Sequence, residues 1–216
     1  MEDILLIDKP RDWTSFDVVA KVRSSLRKET GQKVKVGHAG TLDPLATGLL
    51  IVLVGKATKQ QYEFMKKDKI YEVELKLGET STTADEEGEK FNISDKKPSQ
   101  DEIQAVVASF IGRIEQIPPA FSAIKVNGQR AYKLARAGKE VKLEPRKVTI
   151  RSITDVSYSY PVLKFTAEVS SGTYVRSLVT DIGDALKTGA YMTNLRRTQI
   201  GEFSLKDAKN IEQMLD

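Results

Sequence analysis

The chain has 216 residues, 30% of them charged and 40% hydrophobic, which suits one large globular domain or two small ones. It contains no cysteine and a single histidine, so disulfides and thiolate metal sites are excluded, and a zinc or iron centre is argued against. No apolar run reaches membrane-spanning length and the N-terminus lacks a signal layout; the expectation is a cytoplasmic protein without metal or cofactor.

A net charge of +4 is only mildly basic, but its distribution is uneven. Lys125 to Lys147 carries eight cations against Glu140 and Glu144, whereas Glu79 to Glu102 carries eight acids against Lys90, Lys96 and Lys97. Such asymmetry suits one face held against a phosphate backbone and another turned away.

Ile4-Leu5-Leu6-Ile7 reads as a short strand ended by Asp8-Lys9-Pro10. Thr14 or Ser15 caps a helix that runs to about Lys28, with Phe16, Val19, Val22 and Leu26 on one face and Gly31 as its stop. Lys9 is either a solvated loop charge or a support for the next loop along the chain.

The stretch Gly37-His38-Ala39-Gly40-Thr41-Leu42-Asp43-Pro44-Leu45-Ala46-Thr47-Gly48 precedes the apolar run Leu49–Val54, a buried strand. It predicts a tight, backbone-exposed loop that presents Asp43 at a sheet edge, with Pro44 keeping Asp43 out of the helical region. Asp43 is either the cap of one short turn or a displayed carboxylate.

A helix is predicted from Gly55 to Met65. Tyr71, Val73, Leu75 and Leu77 then alternate with Glu72, Glu74 and Lys76 as a half-buried strand, and Ser81–Gly88 reads as a loop or edge hairpin. Pro98-Ser99 with Glu102 forms a capping box for a helix carrying Ile103, Val106, Val107 and Phe110, ended by Gly112. From Pro118 to Lys147 lies a basic excursion with a Pro-Pro start, an Asn127-Gly128 turn and interleaved Tyr132, including Lys125 and Arg136. Val148–Ile150 and Leu163–Val169 are strands. After Thr173-Tyr174, a helix buries Val175, Leu178, Val179, Ile182 and Leu186. Arg176 lies off that stripe, in a first turn that does not suit a cation, so another partner must hold it. A capped helix is expected from Ser204 to Leu215.

The loop around Asp43, Lys9-Pro10 with Thr14-Ser15, Lys69-x-Tyr71, the arm after Pro118, Tyr174-Val175-Arg176 and Leu195-Arg196-Arg197 together resemble the TruB family of tRNA pseudouridine-55 synthases. The family usually has glycine where this chain has Asp12. The resemblance spans essentially the whole chain. It implies one α+β catalytic domain over 1–216, with a central, mainly antiparallel sheet flanked by helices, an inserted RNA-clamping arm at about 118–147 and no C-terminal RNA-binding domain.

It also implies site roles. Asp43 is the nucleophile, Tyr71 stacks on the target base and Arg176 pairs with the aspartate. His38, Thr41, Lys9, Tyr174, Leu195, Lys125 and Arg136 bind substrate. The implied partner is the T stem-loop of tRNA, with no membrane, no obligate protein partner and a monomeric state. Making pseudouridine breaks a glycosidic bond and rejoins the base through C5. It needs neither redox change nor hydrolysis, hence no cofactor. A non-catalytic tRNA-binding module and a guide-RNA-dependent subunit are the competing expectations.

Overall fold

A computed structural model describes residues 2–122, 124–126 and 128–211. The chain forms two compact units. One combines residues 1–72 with 195–216, and the other spans 73–194.

The first unit begins with β1 (Glu2–Lys9), α1 (Ser15–Thr30), β2 (Val36–His38) and β3 (Thr47–Gly55). A 3-10 turn over Lys56–Gln60 leads to α2 (Gln61–Met65) and then β4 (Lys69–Leu77). The predicted single helix from Gly55 is thus two short turns of different pitch. Thr14 is the cap of α1: it accepts from the Asp17 N–H, while Asp17 reaches back to the Thr14 backbone, and Gly31 ends the helix at φ 68°. Ser15, Val18, Val19 and Val22 are buried. Phe16, expected on that face, is exposed instead, because it sits about 100° per residue away from Ser15 and outside the 15-18-19-22 stripe.

β3 explains its own apolar run. Leu50 and Val52 pack with Ile7, Val18, Val22 and Ile211 on one side, and Leu49, Ile51 and Leu53 with Phe64 and Ile200 on the other. With both faces covered, alternation disappears from the sequence.

The second unit takes in Val73–Leu77 of β4, where alternate side chains are buried as predicted. It continues through the hairpin β5 (Glu79–Ser81) and β6 (Lys90–Asn92), then α3 (Gln100–Ser109), β7 (Gly112–Gln116), β8 (Lys125–Val126), β9 (Gln129–Arg130) and α4 (Ala131–Arg136). β10 (Arg146–Ser159), β11 (Val162–Val169), α5 (Val175–Leu186) and β12 (Ala190–Ile200) come next, the last crossing into the first unit at Asn194/Leu195. β10 is far longer than Val148–Ile150. Two register breaks against β11, with Asp155 at φ 53°, obscure its alternation. Within this unit β10 pairs antiparallel with both β11 and β7.

Back in the first unit, β13 (Phe203–Ser204) and β14 (Lys209–Asn210) close the sheet order β14-β1-β3-β12. β1 and β3 are antiparallel, while β14 joins β1 and β12 joins β3 in parallel. Mixed sheets with helices against them make this an α+β protein. The expected C-terminal helix is a 3-10 turn at Leu205–Asp207 capped by Ser204, then β14; residues 212–215 of that expectation lie outside the described ones.

Gly48 sits opposite Arg197 at φ 100°, and a Cβ there would lie 2.3 Å from the Arg197 carbonyl oxygen. Gly48→Ala is expected to cost at least about 3 kcal/mol, read as a lowered denaturant midpoint.

Candidate active site

The first unit contains Lys9, His38, Thr41, Asp43, Tyr71 and Leu195 of the expected site; the second contains Lys125, Arg136, Tyr174 and Arg176. Their settings differ.

Asp43 is half-buried in an irregular loop between β2 and β3, and Thr41 beside it is exposed. The residues on either side of Asp43 are held by the segment joining β1 to α1. Before it, Leu42 donates its N–H to the Ser15 hydroxyl (2.8 Å), which donates in turn to the Leu42 carbonyl (3.0 Å). After it, the Pro44 carbonyl accepts from the Asp12 N–H (2.9 Å) and from Lys9 Nζ (3.2 Å). The Asp43 carbonyl itself accepts from Ala46 (3.1 Å).

Lys9 is fully buried, and its ammonium also donates to the Pro10 carbonyl (2.8 Å) and the Trp13 carbonyl (2.6 Å). This resolves the alternative left open by its sequence: it supports the loop. Burial pushes its pKa down to about 8, opposed by the charges of Asp43 and Asp12. Asp12 adopts φ 65°, a left-handed conformation that glycine takes without strain and Asp tolerates better than most residues.

A second brace comes from the other end of the chain. Arg197 is 1% exposed; its Nε donates to the Leu49 carbonyl (2.8 Å) and one terminal nitrogen to the Gly40 carbonyl (2.9 Å). The loop is thereby tied at both ends to one guanidinium. Arg196, on the opposite face of β12, instead pairs with Asp8 (2.8 Å). Sequence reasoning singled out Leu195 in this motif and missed Arg197. The period of two along a strand would have placed 195 and 197 on the same side.

His38 lies at the end of β2. Its carbonyl accepts from Gln61, and its buried Nδ1 has no hydrogen-bond partner among the described residues. Burial, and then the Arg197 charge, hold the imidazole below its ordinary pKa, so it is neutral at pH 7. Tyr71 and Leu195 are both buried, 8% and 6% exposed, on β4 and β12.

In the second unit, Arg176 occupies the first turn of α5 and is buried. It meets Asp85 Oδ2 at 3.5 Å and donates to the carbonyls of Thr83 (3.2 Å) and Phe121 (2.8 Å). Asp85 supplies a carboxylate partner of the kind the unfavourable dipole position demanded. It is itself oriented by the Thr83 hydroxyl and the Glu87 N–H. It was missed because its stretch reads as an ordinary polar loop. Tyr174 precedes the helix, its N–H bonded to Gln116 Oε1 (2.8 Å).

The arm is a small hairpin, β8–β9, leading into α4. Ala131 N–H bonds to the Ile124 carbonyl and Tyr132 N–H to the Ser122 carbonyl. The expected turn rests on Asn127, outside the described residues. Lys125 and Arg136 are exposed, as are the other six cations from Arg130 to Lys147, and Arg136 lies 5.8 Å from the Tyr132 ring centre. Exposed cations beside an aromatic ring can hold phosphates and a base together.

The chain resembles known proteins along its length. Residues 27–175 match the profile of "TruB family pseudouridylate synthase (N terminal domain)", and residues 176–216 match "tRNA pseudouridylate synthase B C-terminal domain". A protein of Phocaeicola vulgatus called tRNA pseudouridine synthase B is 45% identical over 97% of this chain and 90% of its own length. One of the same name from Parabacteroides distasonis is 46% identical over 99% and 92%, and one from Clostridium kluyveri 46% over 99% and 72%.

Among solved structures, an archaeal box H/ACA Nop10–Cbf5 complex aligns at TM-score 0.72 and 27% identity, and a Cbf5–Nop10–Gar1 complex at 0.75 and 28%. Each covers 99% of this chain, which spans about half the length of those proteins. Fold and relatives define the class: an RNA-directed isomerase with the pseudouridine synthase architecture. The chain belongs to the TruB family of pseudouridylate synthases.

Beside Arg176, a cavity of about 270 Å³ is lined by the Thr80–Ala84 loop, by Ile117, Pro119 and Phe121, and by Ser177, Thr180 and Asp181 of α5. Burial, then the charge of Asp184, push the Asp181 carboxyl up to about 6. From its unfolded value of 3.8 to about pH 6 the folded chain therefore holds the extra proton, and stability falls as pH rises through that window. Asp181→Asn is expected to raise stability by about 1 kcal/mol at pH 7, after allowance for solvent screening, and to leave it unchanged near pH 3.5. Thermal melts at the two pH values check this.

Proposed function

We propose that this chain converts uridine to pseudouridine in the T loop of tRNA, at position 55, with Asp43 as the nucleophilic carboxylate. The observation that carries the reading is the pair of peptides locked on either side of Asp43, at Leu42 and Pro44, which fixes the direction in which its side chain leaves the backbone. A turn that needed only a cap would not require such bracing. The relatives called tRNA pseudouridine synthase B, 45–46% identical over almost the whole chain, support the choice of tRNA.

In this reading the target nucleotide leaves its stack at a cost of a few kcal/mol, and stacking on Tyr71 returns about 1–3 kcal/mol. The N1–C1′ bond of uridine breaks and a C5–C1′ bond forms. The C5 proton is lost to solvent and N1 gains one, so atoms and electrons balance without an external reagent. Arg176 is, in this reading, the cation assigned to the carboxylate. Tyr174 and Leu195 shape the base pocket, His38 and Thr41 contact the opened loop, and Lys125 and Arg136 hold the phosphate backbone. The enzyme acts as a monomer without a protein partner.

Purified protein incubated with an unmodified tRNA transcript carrying tritium at uracil C5 is expected to release tritium, and Asp43→Ala to release none. Release only after a guide RNA and partner proteins are added would favour a guide-dependent subunit, the arrangement suggested by the likeness to the H/ACA complexes. Binding without release would favour a tRNA-binding module.

Tyr71→Leu is expected to lower kcat by at least about tenfold while changing tRNA affinity less than about threefold, because phosphate contacts carry most of the affinity. Filter binding beside the tritium assay separates the two effects, and equal losses would contradict the stacking role.

A further inference from the structure

We propose that Ser15 is a positioning residue for the Asp43 carboxylate, acting through the backbone of Leu42; this rests on the reading of Asp43 as the nucleophile. Of the two neighbouring hydroxyls, Thr14 caps α1 and its bonds stay within the first turn. Ser15 does nothing for its own helix. Its Oγ accepts from Leu42 N–H at 2.8 Å and donates to Leu42 C=O at 3.0 Å, across 27 residues of chain.

One hydroxyl thus satisfies both polar groups of a single residue, as a neighbouring strand would. The geometry fixes Leu42 rotationally as well as in position: a single bond would leave a swivel, whereas donor and acceptor on the same oxygen do not. Ser15 is 2% exposed and Leu42 3%, so water does not compete for either group. The Leu42 carbonyl belongs to the peptide whose nitrogen is that of Asp43. Rotation of that peptide turns the Asp43 Cα–Cβ bond directly. On the other side, Pro44 is fixed by Asp12 and Lys9, so releasing Leu42 removes the bracing on one flank of Asp43 and leaves it on the other. A displacement of about 1 Å at a reacting group can cost about a hundredfold in rate.

Ser15→Ala is expected to lower the single-turnover rate on tRNA about 10- to 100-fold, with the dissociation constant for tRNA within about twofold of wild type. Ser15→Thr, which keeps the oxygen, is expected to stay within about threefold of wild type. Circular dichroism at the assay temperature establishes that the Ala variant is folded. If it is not, Ser15→Cys takes its place, since it retains the volume but hydrogen-bonds weakly, and the same loss is expected.

A folded Ala or Cys variant with wild-type single-turnover rate would overturn the proposal, as would a Thr variant as slow as Ala, or a loss that appears only in tRNA affinity. Asp43→Ala runs alongside. If it keeps full activity, the nucleophile assignment fails and takes this inference with it. If it is inactive while folded Ser15→Ala is as fast as wild type, only the Ser15 inference fails.

Discussion

The loop that carries Asp43 depends on one guanidinium. Arg197 reaches the carbonyl of Gly40 on one side of the loop and that of Leu49 on the other, and its own backbone lies so close to Gly48 that no side chain fits between them. A bond from residue 197 to residue 49 closes a very long stretch of chain, so its entropic cost falls on the folding of the whole polypeptide. The contact forms only when β12 has returned beside β3 in parallel. The bracing of the Asp43 loop by Arg197 therefore depends on the pairing of β12 with β3.

The buried cations share a pattern. Lys9 and Arg197 donate to main-chain carbonyls, and Arg176 donates to the carbonyls of Thr83 and Phe121 and meets Asp85. Carbonyls orient a cation without cancelling its charge. Lys9 and Arg197 thus keep a positive environment around a loop whose proposed chemistry needs an ionised carboxylate, while burial and the Arg197 charge keep the His38 imidazole neutral. The Arg176–Asp85 pair is poor evidence for stability, since desolvating both ions offsets most of their attraction. Its effect is to hold the planar guanidinium in one orientation. The Phe121 carbonyl, at the root of the basic arm, is one of the groups that set it.

Local chemistry was legible in the sequence, and long-range chemistry was not. The Ser99–Glu102 capping box, the cap at Thr14, one of the two residues offered for it, the Gly31 stop, the alternation of β4 and the apolar stripe of α5 are written in neighbouring residues and appear in the structure where they were read. Phe16 was misplaced because one apolar residue adjacent to a stripe looks like part of it. β10 was read short because two bulges break its period. Asp85 and Arg197 escaped because the groups they meet, Arg176 for the one and the Gly40 and Leu49 carbonyls for the other, are remote in the chain. Nothing local distinguishes Asp85 from a surface charge, and for Arg197 the one local clue is the strand period that puts it on the side of Leu195. Asp12 shows the reverse: its departure from the family's glycine was visible, but only φ 65° explains why glycine is usual there.

The bracing of Asp43 concentrates several roles in one short connection. The link between β1 and α1 delivers a buried ammonium, a backbone N–H and a hydroxyl to the two residues flanking the aspartate, and the same link starts a helix. Each of these bonds ends on backbone. Strong hydrogen bonds made to a nucleophilic carboxylate would lower its reactivity, because each one stabilises the charge that must later be shared with substrate. Fixing the flanking peptides constrains direction by another route and adds nothing to that stabilisation. Direction is then set by Ser15, Asp12 and Lys9 acting on the main chain.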